Sequence, residues 1–170
     1  MAEEVELHSA RPAALLATHG HHDHIAAAAT LSERWKVPFF LHPADAPLLR
    51  RMNFYRKLFD GAGRARVLER WTPLVPSEEL GFGDLRVEVI ETPGHTPGGV
   101  TFRIGDWLFP GDLLLPAGAG RTDLPGGDRT ALQGSLAAIG LLPPHLKVHP
   151  GHGDSFPLGE GLKVARRRLS

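Results

Sequence analysis

One run of six residues, with three histidines and an aspartate at the spacing of metal ligands, limits the possible folds of this chain more than any other part of its sequence. Residues 13–18 (AALLAT) are apolar and predict a short buried strand, and residues 19–24 after it contain the pattern His-x-His-x-Asp-His. These side chains can converge only if the loop folds back tightly, and Gly20 helps it to do so. Imidazole and carboxylate groups suit zinc, manganese or iron(II). The loop therefore predicts a metal site, with a solvated polar turn as the alternative.

Three further ligand-type residues follow predicted strands. His95 lies between two Pro-Gly pairs, Asp112 comes after the strand at 107–110, and His152 lies in a Pro-Gly-His-Gly turn. Each of them alone is more typical of an ordinary loop residue. Together with the first motif they place five histidines and two aspartates at strand ends, which favours one shared site.

Strands alternate with helices along the chain, which predicts a layered α/β protein. The 170 residues, 42% of them hydrophobic, fit a single domain over residues 1–170. In the predicted helix over residues 43–60 the apolar face consists of Leu48, Leu49, Met52 and Phe59. Strands are predicted at 13–18, 38–42, 85–92, 99–104, 107–110 and 147–149, and helices at 25–36, 43–60, 128–142 and from 159 onward.

Composition excludes several classes of function. The chain has no cysteine, which excludes disulfides, thiolate zinc sites, iron–sulfur clusters and cysteine nucleophiles. Its 19 basic and 19 acidic residues give zero net charge, so neither nucleic acid nor a membrane surface is an expected partner. No apolar run approaches the roughly 18 residues that span a membrane, and the acidic start does not resemble a signal peptide. A cytoplasmic location is expected.

The ligand-type residues, taken in chain order, resemble the metal-ligand set of the metallo-β-lactamase superfamily, and within it the glyoxalase II-like (hydroxyacylglutathione hydrolase) branch. The resemblance covers about residues 13–155 and implies an αββα sandwich with the site at one edge of two sheets. It implies two divalent metal ions, zinc in the first place, with iron or manganese as alternatives. By resemblance the first ion is held by His19, His21 and His95, the second by Asp23, His24 and His152, and Asp112 bridges them.

The resemblance also implies a reaction. A hydroxide that bridges the two metals would attack a small-molecule thioester of the hydroxyacyl-thiol class. Asp112 would keep the ions close together, and Asp23 would accept a hydrogen bond from the attacking hydroxide, so both aspartates are expected to be catalytic.

The chain departs from the family pattern at its front. Only 18 residues precede His19, so part of the first sheet and an acidic residue that supports the site are expected to be missing, and residues 3–9 are interpreted as the remnant of a helix. One explanation is a displaced start codon or a fragment. The other is a natural short variant whose open sheet edge pairs with a second copy as a homodimer.

Two other functions stay open. A mono-iron persulfide dioxygenase would use His19, His95 and Asp112 as a facial triad, and the run at 118–123 resembles that branch. A truncated, non-catalytic metal-binding domain is the third reading.

Five further residues are interpreted as lying outside the ligand set. Arg121 and Asp123 are expected to pair as a brace for the loop after Asp112, with binding of a substrate carboxylate by Arg121 as the alternative. His149 is expected to lie behind the ligands, His22 to face solvent, and His42 to make a structural hydrogen bond.

Overall fold

Residues 11–75 and 79–169 are described by the computed structural model, and their contacts divide the chain into two units, residues 1–74 and 75–170. Each unit has its own sheet and its own apolar core. The predicted helix remnant at residues 3–9 lies outside the described residues. The single domain over residues 1–170 stays a prediction, whereas the mixed α/β class is confirmed.

The sheet of the first unit is short and parallel, with its strands in the order β1-β2-β3. A parallel pair needs a crossover, and between β1 and β2 helices α1 (His22–Ile25) and α2 (Ala28–Trp35) provide it. The core beneath contains Ile25, Leu41 and Met52. The strands are Leu15–Leu16, Phe39–Leu41 and Thr72–Pro73.

The end of α2 has a local cause. Lys36 adopts a left-handed conformation with φ 55°, and its backbone N–H donates to the carbonyl of Ser32. The hydroxyl of Ser32 donates to the carbonyl of Val37 at 2.6 Å. Pro38 then disfavours helical geometry at the residue before it, so the chain leaves the helix and enters β2.

The predicted helix over residues 43–60 is divided into four pieces. Leu48, Leu49 and Met52 are buried as predicted, but Phe59 is 51% exposed, so its place in the apolar face is wrong. A π turn takes more residues than an α turn, so the side chains after Tyr55 rotate off the buried face. The pieces are a 3₁₀ turn Pro43–Asp45, α3 Ala46–Arg50, α4 Met52–Tyr55 and a π turn Arg56–Asp60.

The second unit contains a six-stranded sheet in the order β11-β10-β7-β6-β5-β4. All neighbouring strands are antiparallel except β10 and β7, which are parallel. The carboxyl ends of β5, β7 and β10 therefore lie at the same edge of the sheet. The strands are β4 Glu79–Phe82, β5 Leu85–Glu91, β6 Val100–Ile104, β7 Trp107–Gly111, β10 Lys147–Pro150 and β11 Phe156–Pro157.

The remaining elements complete the second unit. A two-stranded sheet pairs β8 (Leu114–Leu115) with β9 (Gly118–Ala119), and helices α5 (Arg129–Ile139) and α6 (Leu158–Leu169) follow. Asp128 caps α5 as predicted, because its carboxylate accepts from the backbone N–H of Ala131 at 3.0 Å. The predicted hairpin of β6 and β7 and both predicted helices of this unit are confirmed, although α5 ends three residues early.

Candidate metal centre

The loop after β1 brings the predicted ligands of the first unit to one place. His19 is 2% exposed, and the backbone N–H of Gly20 beside it donates to the Asp45 carboxylate at 2.7 Å. A Cβ atom on Gly20 would lie 2.9 Å from the Cβ of Asp45 and 3.1 Å from that of Leu48. Only glycine allows this close approach, so the loop packs directly against the residue that precedes α3.

The imidazoles of this loop cluster within the first unit. The ring of His19 lies 4.9 Å from that of His21 and 4.1 Å from that of His24, measured between centroids. The backbone N–H of His24 donates to the carbonyl of His21, which begins α1 and turns the chain back. The Nε2 atom of His24 lies 3.5 Å from a carboxylate oxygen of Asp23. The Thr18 hydroxyl lies 3.2 Å from Nδ1 of His19.

His22 does not face solvent, so that expectation is wrong. Its side chain is 12% exposed, and its Nε2 atom lies 3.0 Å from the carboxylate of Asp60. Its ring stacks on Phe59 with a centroid distance of 5.9 Å. His22 is one residue out of register with the other histidines of the loop. Its side chain therefore turns away from them and lies against the π turn, which covers it.

In the second unit, His95 is held with a defined tautomer. Its Nδ1 atom lies 2.8 Å from the backbone carbonyl of Arg121, which can only accept, so Nδ1 carries the proton and donates. In the neutral imidazole the lone pair is then on Nε2. Backbone carbonyls commonly orient metal-binding histidines in this way.

One carboxylate oxygen of Asp112 lies between two imidazoles. Its Oδ2 atom is 3.6 Å from Nε2 of His95 and 3.6 Å from Nε2 of His152. Two atoms bound at 2.0–2.1 Å to one tetrahedral zinc ion are about 3.4 Å apart. These spacings suit ligands around metal ions, and the shared oxygen is in the position that a bridging ligand requires. The exposed fractions are 12% for the Asp112 side chain and 57% for that of His152.

Two glycines allow the loops of the second unit to pack closely. Gly94 adopts φ 133°, and a Cβ atom there would overlap the backbone of Leu132 in α5. A Cβ atom on Gly120 would overlap the carbonyl oxygen of Asp112. The loop of His95 is therefore fixed on α5, and the loop of Asp112 is fixed on the residue that follows β9.

The backbone around His95 has further supports from α5. The backbone N–H of Asp128 donates to the carbonyl of Gly94 at 2.8 Å. The hydroxyl of Ser135 donates to the carbonyl of Pro93 at 2.6 Å. These contacts fix the backbone that leads into the ligand.

The predicted supporting residues have identifiable contacts. Arg121 donates two hydrogen bonds of 2.6 Å to the Asp123 carboxylate, and these bonds lower the pKa of Asp123 to about 2. The Nδ1 atom of His149 lies 2.9 Å from the Ser155 hydroxyl, and its ring stacks on Phe109 of the neighbouring strand β7. Burial, and then the charge of Lys147, lower the pKa of His149.

His42 makes the structural hydrogen bond that the sequence predicts. Its Nδ1 atom accepts from the backbone N–H of Ala44 at 3.2 Å and caps the 3₁₀ turn.

Sequence reasoning missed Asp45 and the carbonyl of Arg121. Asp45 is 0% exposed, and its carboxylate accepts from the backbone N–H of Gly20, so an acidic residue from outside the motif supports the first loop. The expected absence of an acidic support in front of the motif stays a prediction. Asp45 lies between Pro43 and Pro47 at a helix start, where an acidic residue is ordinary, so its contact with the loop of Gly20 has no sequence signal. The carbonyl of Arg121 has no sequence signal, since any residue supplies one.

The donor types of both units suit divalent metal ions. Imidazole nitrogens and carboxylate oxygens are the donors in each unit, and they match zinc, iron and manganese equally well.

Within the described residues, no helix is long and apolar enough to cross a membrane.

Comparison with known proteins identifies the family. A family model described as the metallo-beta-lactamase superfamily matches residues 2–152. The chain therefore belongs to the metallo-β-lactamase superfamily and has its mixed α/β fold and a metal-dependent, hydrolase-type scaffold.

Three relatives illustrate the similarity. The probable metallo-hydrolase YqgX of Bacillus subtilis (strain 168) is 35% identical over 150 residues, which are 84% of this chain and 69% of that protein. A hydroxyacylglutathione hydrolase of Anaeromyxobacter dehalogenans (strain 2CP-C) is 33% identical over 150 residues, 88% of this chain and 51% of that protein. The crystal structure of TTHA1623 in a di-iron-bound form has 37% identity and a TM-score of 0.89, covering 96% of this chain and 81% of that one.

Proposed function

We propose that the chain is a binuclear metal-dependent hydrolase that cleaves thioesters of the hydroxyacyl-thiol class. The observation that carries the proposal is the single Asp112 oxygen at 3.6 Å from both His95 and His152. A carboxylate oxygen shared by two imidazoles on different loops has the arrangement of a ligand shared by two ions. The 33% identity with a hydroxyacylglutathione hydrolase supports the thioester class.

As the family resemblance implies, one ion would be held by His19, His21 and His95 and the other by Asp23, His24 and His152. Asp112 would serve both ions. Two divalent ions lower the pKa of a bound water toward neutrality and polarise a carbonyl. The proton on Nδ1 of His95 keeps Nε2 available as a ligand, because the Arg121 carbonyl holds it.

The proton of the attacking water is accepted by a carboxylate of the chain, that of Asp23. Asp23 is 40% exposed beside His24, so it can receive a hydrogen bond from the attacking water and take up its proton. Water adds to the thioester carbonyl, the C–S bond breaks, and the thiol leaves with the electron pair and a proton. The products are a hydroxy acid and a free thiol.

A mono-iron persulfide dioxygenase is the second candidate. The 3.6 Å separation of His95 and Asp112 fits a mononuclear site as well. That reading gives no metal role to His152, although its Nε2 atom lies equally close to the same oxygen. The shared oxygen therefore favours the binuclear hydrolase.

Metal content and thioester cleavage together test the proposal. We expect about two divalent ions per chain by plasma mass spectrometry, and hydrolysis of a hydroxyacyl thioester measured by thiol release. His152→Ala should reduce the content to about one ion and the rate by at least about 100-fold, because loss of residues that merely orient ligands already costs 10–100-fold.

The control is His145→Ala, which removes an exposed histidine of the same unit and should change neither value. One iron per chain with oxygen consumption on a persulfide would establish the dioxygenase instead. Two ions without activity on any hydroxyacyl thioester would refute the substrate class.

A further inference from the structure

A pocket of about 540 Å³ lies in the first unit, apart from the predicted metal ligands. This volume is in the range of small-molecule sites. Its wall is formed by α4, the π turn and the glycine-rich segment that follows. The lining residues are Asn53, Phe54, Lys57, Gly61, Ala62, Gly63 and Arg64. We call it the basic pocket.

The basic pocket contains two cations without acidic partners. Among the described residues, neither Lys57 nor Arg64 has an ion pair or a side-chain hydrogen bond. Neighbouring charges do not compensate them, since residues 50–70 contain seven Lys or Arg and two Asp or Glu in a chain of zero net charge. Of these two acids, Asp60 is 3.0 Å from His22. The positive charge is therefore available to a ligand.

The wall of the basic pocket is fixed by specific hydrogen bonds. The Asn53 amide donates to the carbonyl of Ala65 at 2.9 Å and accepts from its N–H at 2.7 Å. Arg56 donates from Nε to the carbonyl of Gly63 at 3.1 Å. These bonds hold the glycine-rich segment against α4.

The same pocket has an aromatic side. Phe54 lines it and is 62% exposed, so a ligand in the pocket can contact its ring. Lys57 follows Phe54 by three residues and Asn53 by four, so the three side chains lie on one side of α4 and the π turn. A flat or apolar group can therefore contact the ring while an anionic group contacts the cations.

We propose that the basic pocket binds a small organic anion, a carboxylate or phosphate attached to an apolar or aromatic portion. Arg64 would bind the anionic group with its planar fork, and Lys57 would add a second charge. Phe54 would contact the apolar portion. The basic pocket contains none of the residues proposed as metal ligands.

The ligand has two conceivable sources with the same chemistry. The π turn that forms the pocket wall also contacts the metal loop, because Phe59 and Asp60 both meet His22. A helix with its side chains is about 10–12 Å across, which an extended carrier of about three residues spans. The first source is thus the anionic carrier of the substrate, which rests on the proposed function. The second is a free metabolite, which does not.

Direct binding tests the pocket without reference to activity. We expect phenyl phosphate and glutathione, titrated calorimetrically into the metal-loaded protein, to bind at least about 10-fold more weakly to Lys57→Gln/Arg64→Gln than to the wild type. Arg66→Gln is the matched control, because Arg66 is a cation of the same segment that pairs with Glu33 outside the pocket. It should bind both probes as the wild type does.

A ¹⁵N–¹H spectrum adds the location. Phenyl phosphate should shift the amide signals of Gly61 and Gly63, which separates binding in the pocket from binding at the metals. Equal binding of both probes to the wild type and the double variant, with no shift of these two amides, would overturn the proposal.

Two thioesters distinguish the sources. If the carrier occupies the pocket, the double variant should raise KM about 10-fold for a hydroxyacyl thioester of glutathione and leave KM unchanged for one of neutral N-acetylcysteamine. If a free metabolite occupies it, both KM values should stay unchanged while phenyl phosphate binding still weakens. Failure to hydrolyse either thioester would refute the proposed function and leave the binding result intact.

Discussion

At the scale of single residues, Gly20 and Asp45 form the support of the first metal loop. Asp45 is fully buried, and its carboxylate accepts the Gly20 N–H at 2.7 Å. A hydrogen bond between a carboxylate and a backbone N–H is stronger than a neutral one. Because His19 and His21 flank Gly20 directly, any displacement of this residue moves both imidazoles.

Gly20→Ala should therefore reduce metal binding. The new Cβ would lie 2.9 Å from Cβ of Asp45, closer than real Cβ contacts, so the loop has to shift. We expect a loss of about 1–3 kcal/mol in the free energy of unfolding from the overpacking, and a fall in metal content of at least about half. Urea denaturation and plasma mass spectrometry measure the two effects.

The matched control is Gly134→Ala in α5. A Cβ there meets nothing within 4 Å, so this change should stabilise the protein by about 0.5–1 kcal/mol through helix propensity alone. Unchanged metal content in Gly20→Ala would contradict the role of this contact.

His149 gives a pH dependence at the same scale. Burial lowers its pKa in the folded state, while the unfolded chain keeps the ordinary value near 6.5. The unfolded state therefore binds more protons below that value, so stability is lost as the pH falls from about 6.5 toward the folded pKa. The charged group that also lowers its pKa is Lys147, and its uncharged neighbours include Trp107, Phe109 and Ser155.

His149→Asn should flatten part of this dependence. Melting temperatures measured at pH 5 and pH 7.5 should differ less in the variant than in the wild type, because the amide that replaces the imidazole cannot titrate. His145→Asn removes an exposed histidine and should leave the difference as it is in the wild type. Identical pH dependence in all three proteins would show that His149 does not contribute.

At the scale of elements, α5 supports the loop that carries His95. Gly94 packs on the backbone of Leu132, and its carbonyl accepts from the N–H of Asp128. Ser135 reaches the carbonyl of Pro93 from the next turn. The position of one predicted ligand therefore depends on the start of a helix more than thirty residues later in the chain.

Asp128→Ala should destabilise this arrangement by about 1 kcal/mol. The substitution removes the side-chain cap on the N–H of Ala131 but keeps the backbone bond to Gly94. Thermal or urea unfolding should show the loss, whereas metal content should stay close to that of the wild type. Asp84→Ala in an exposed turn is the control, and it should have a smaller effect on stability.

A strand and a helix show which structures the apolar pattern of the sequence predicts correctly and which it does not. The alternation in residues 85–92 predicts β5 correctly, because Val87 and Val89 face the core while Arg86 and Glu88 face outward. The apolar spacing in residues 43–60 predicts one helix, but several breaks and the π turn interrupt it. The spacing of apolar residues indicates which side chains are buried in a regular α-helix, but it does not indicate a change to π geometry. The pattern therefore places Phe59 on the buried face of the helix, although it is exposed.

At the scale of the whole molecule, the predicted ligands divide between two units. The motif at 19–24 predicts its cluster because neighbouring residues in one tight loop cannot move far apart. His95, Asp112 and His152 follow from their places at carboxyl ends of strands that share an edge. The supports by Asp45 and by the carbonyl of Arg121 could not be predicted, because they come from distant parts of the chain and carry no periodic pattern.

Removal of metal should destabilise the protein as a whole. A ligand that binds only the folded state adds about 2.7 kcal/mol at a hundred times its dissociation constant, so chelation removes at least that much for a tight site. We expect the melting temperature to fall after treatment with a chelator and to recover when zinc or iron is added. An unchanged melting temperature in a protein shown to have lost its ions would contradict a role of the metals in stability.

The segment at residues 50–70 gives the neutral chain an uneven surface. With seven basic and two acidic residues there, the remainder of the chain must carry the opposite excess. An adsorbent responds to the face it meets and not to the sum of all charges. A cation-exchange column should therefore retain this protein at low salt even at its pI near 7.2, with the basic pocket turned toward the resin.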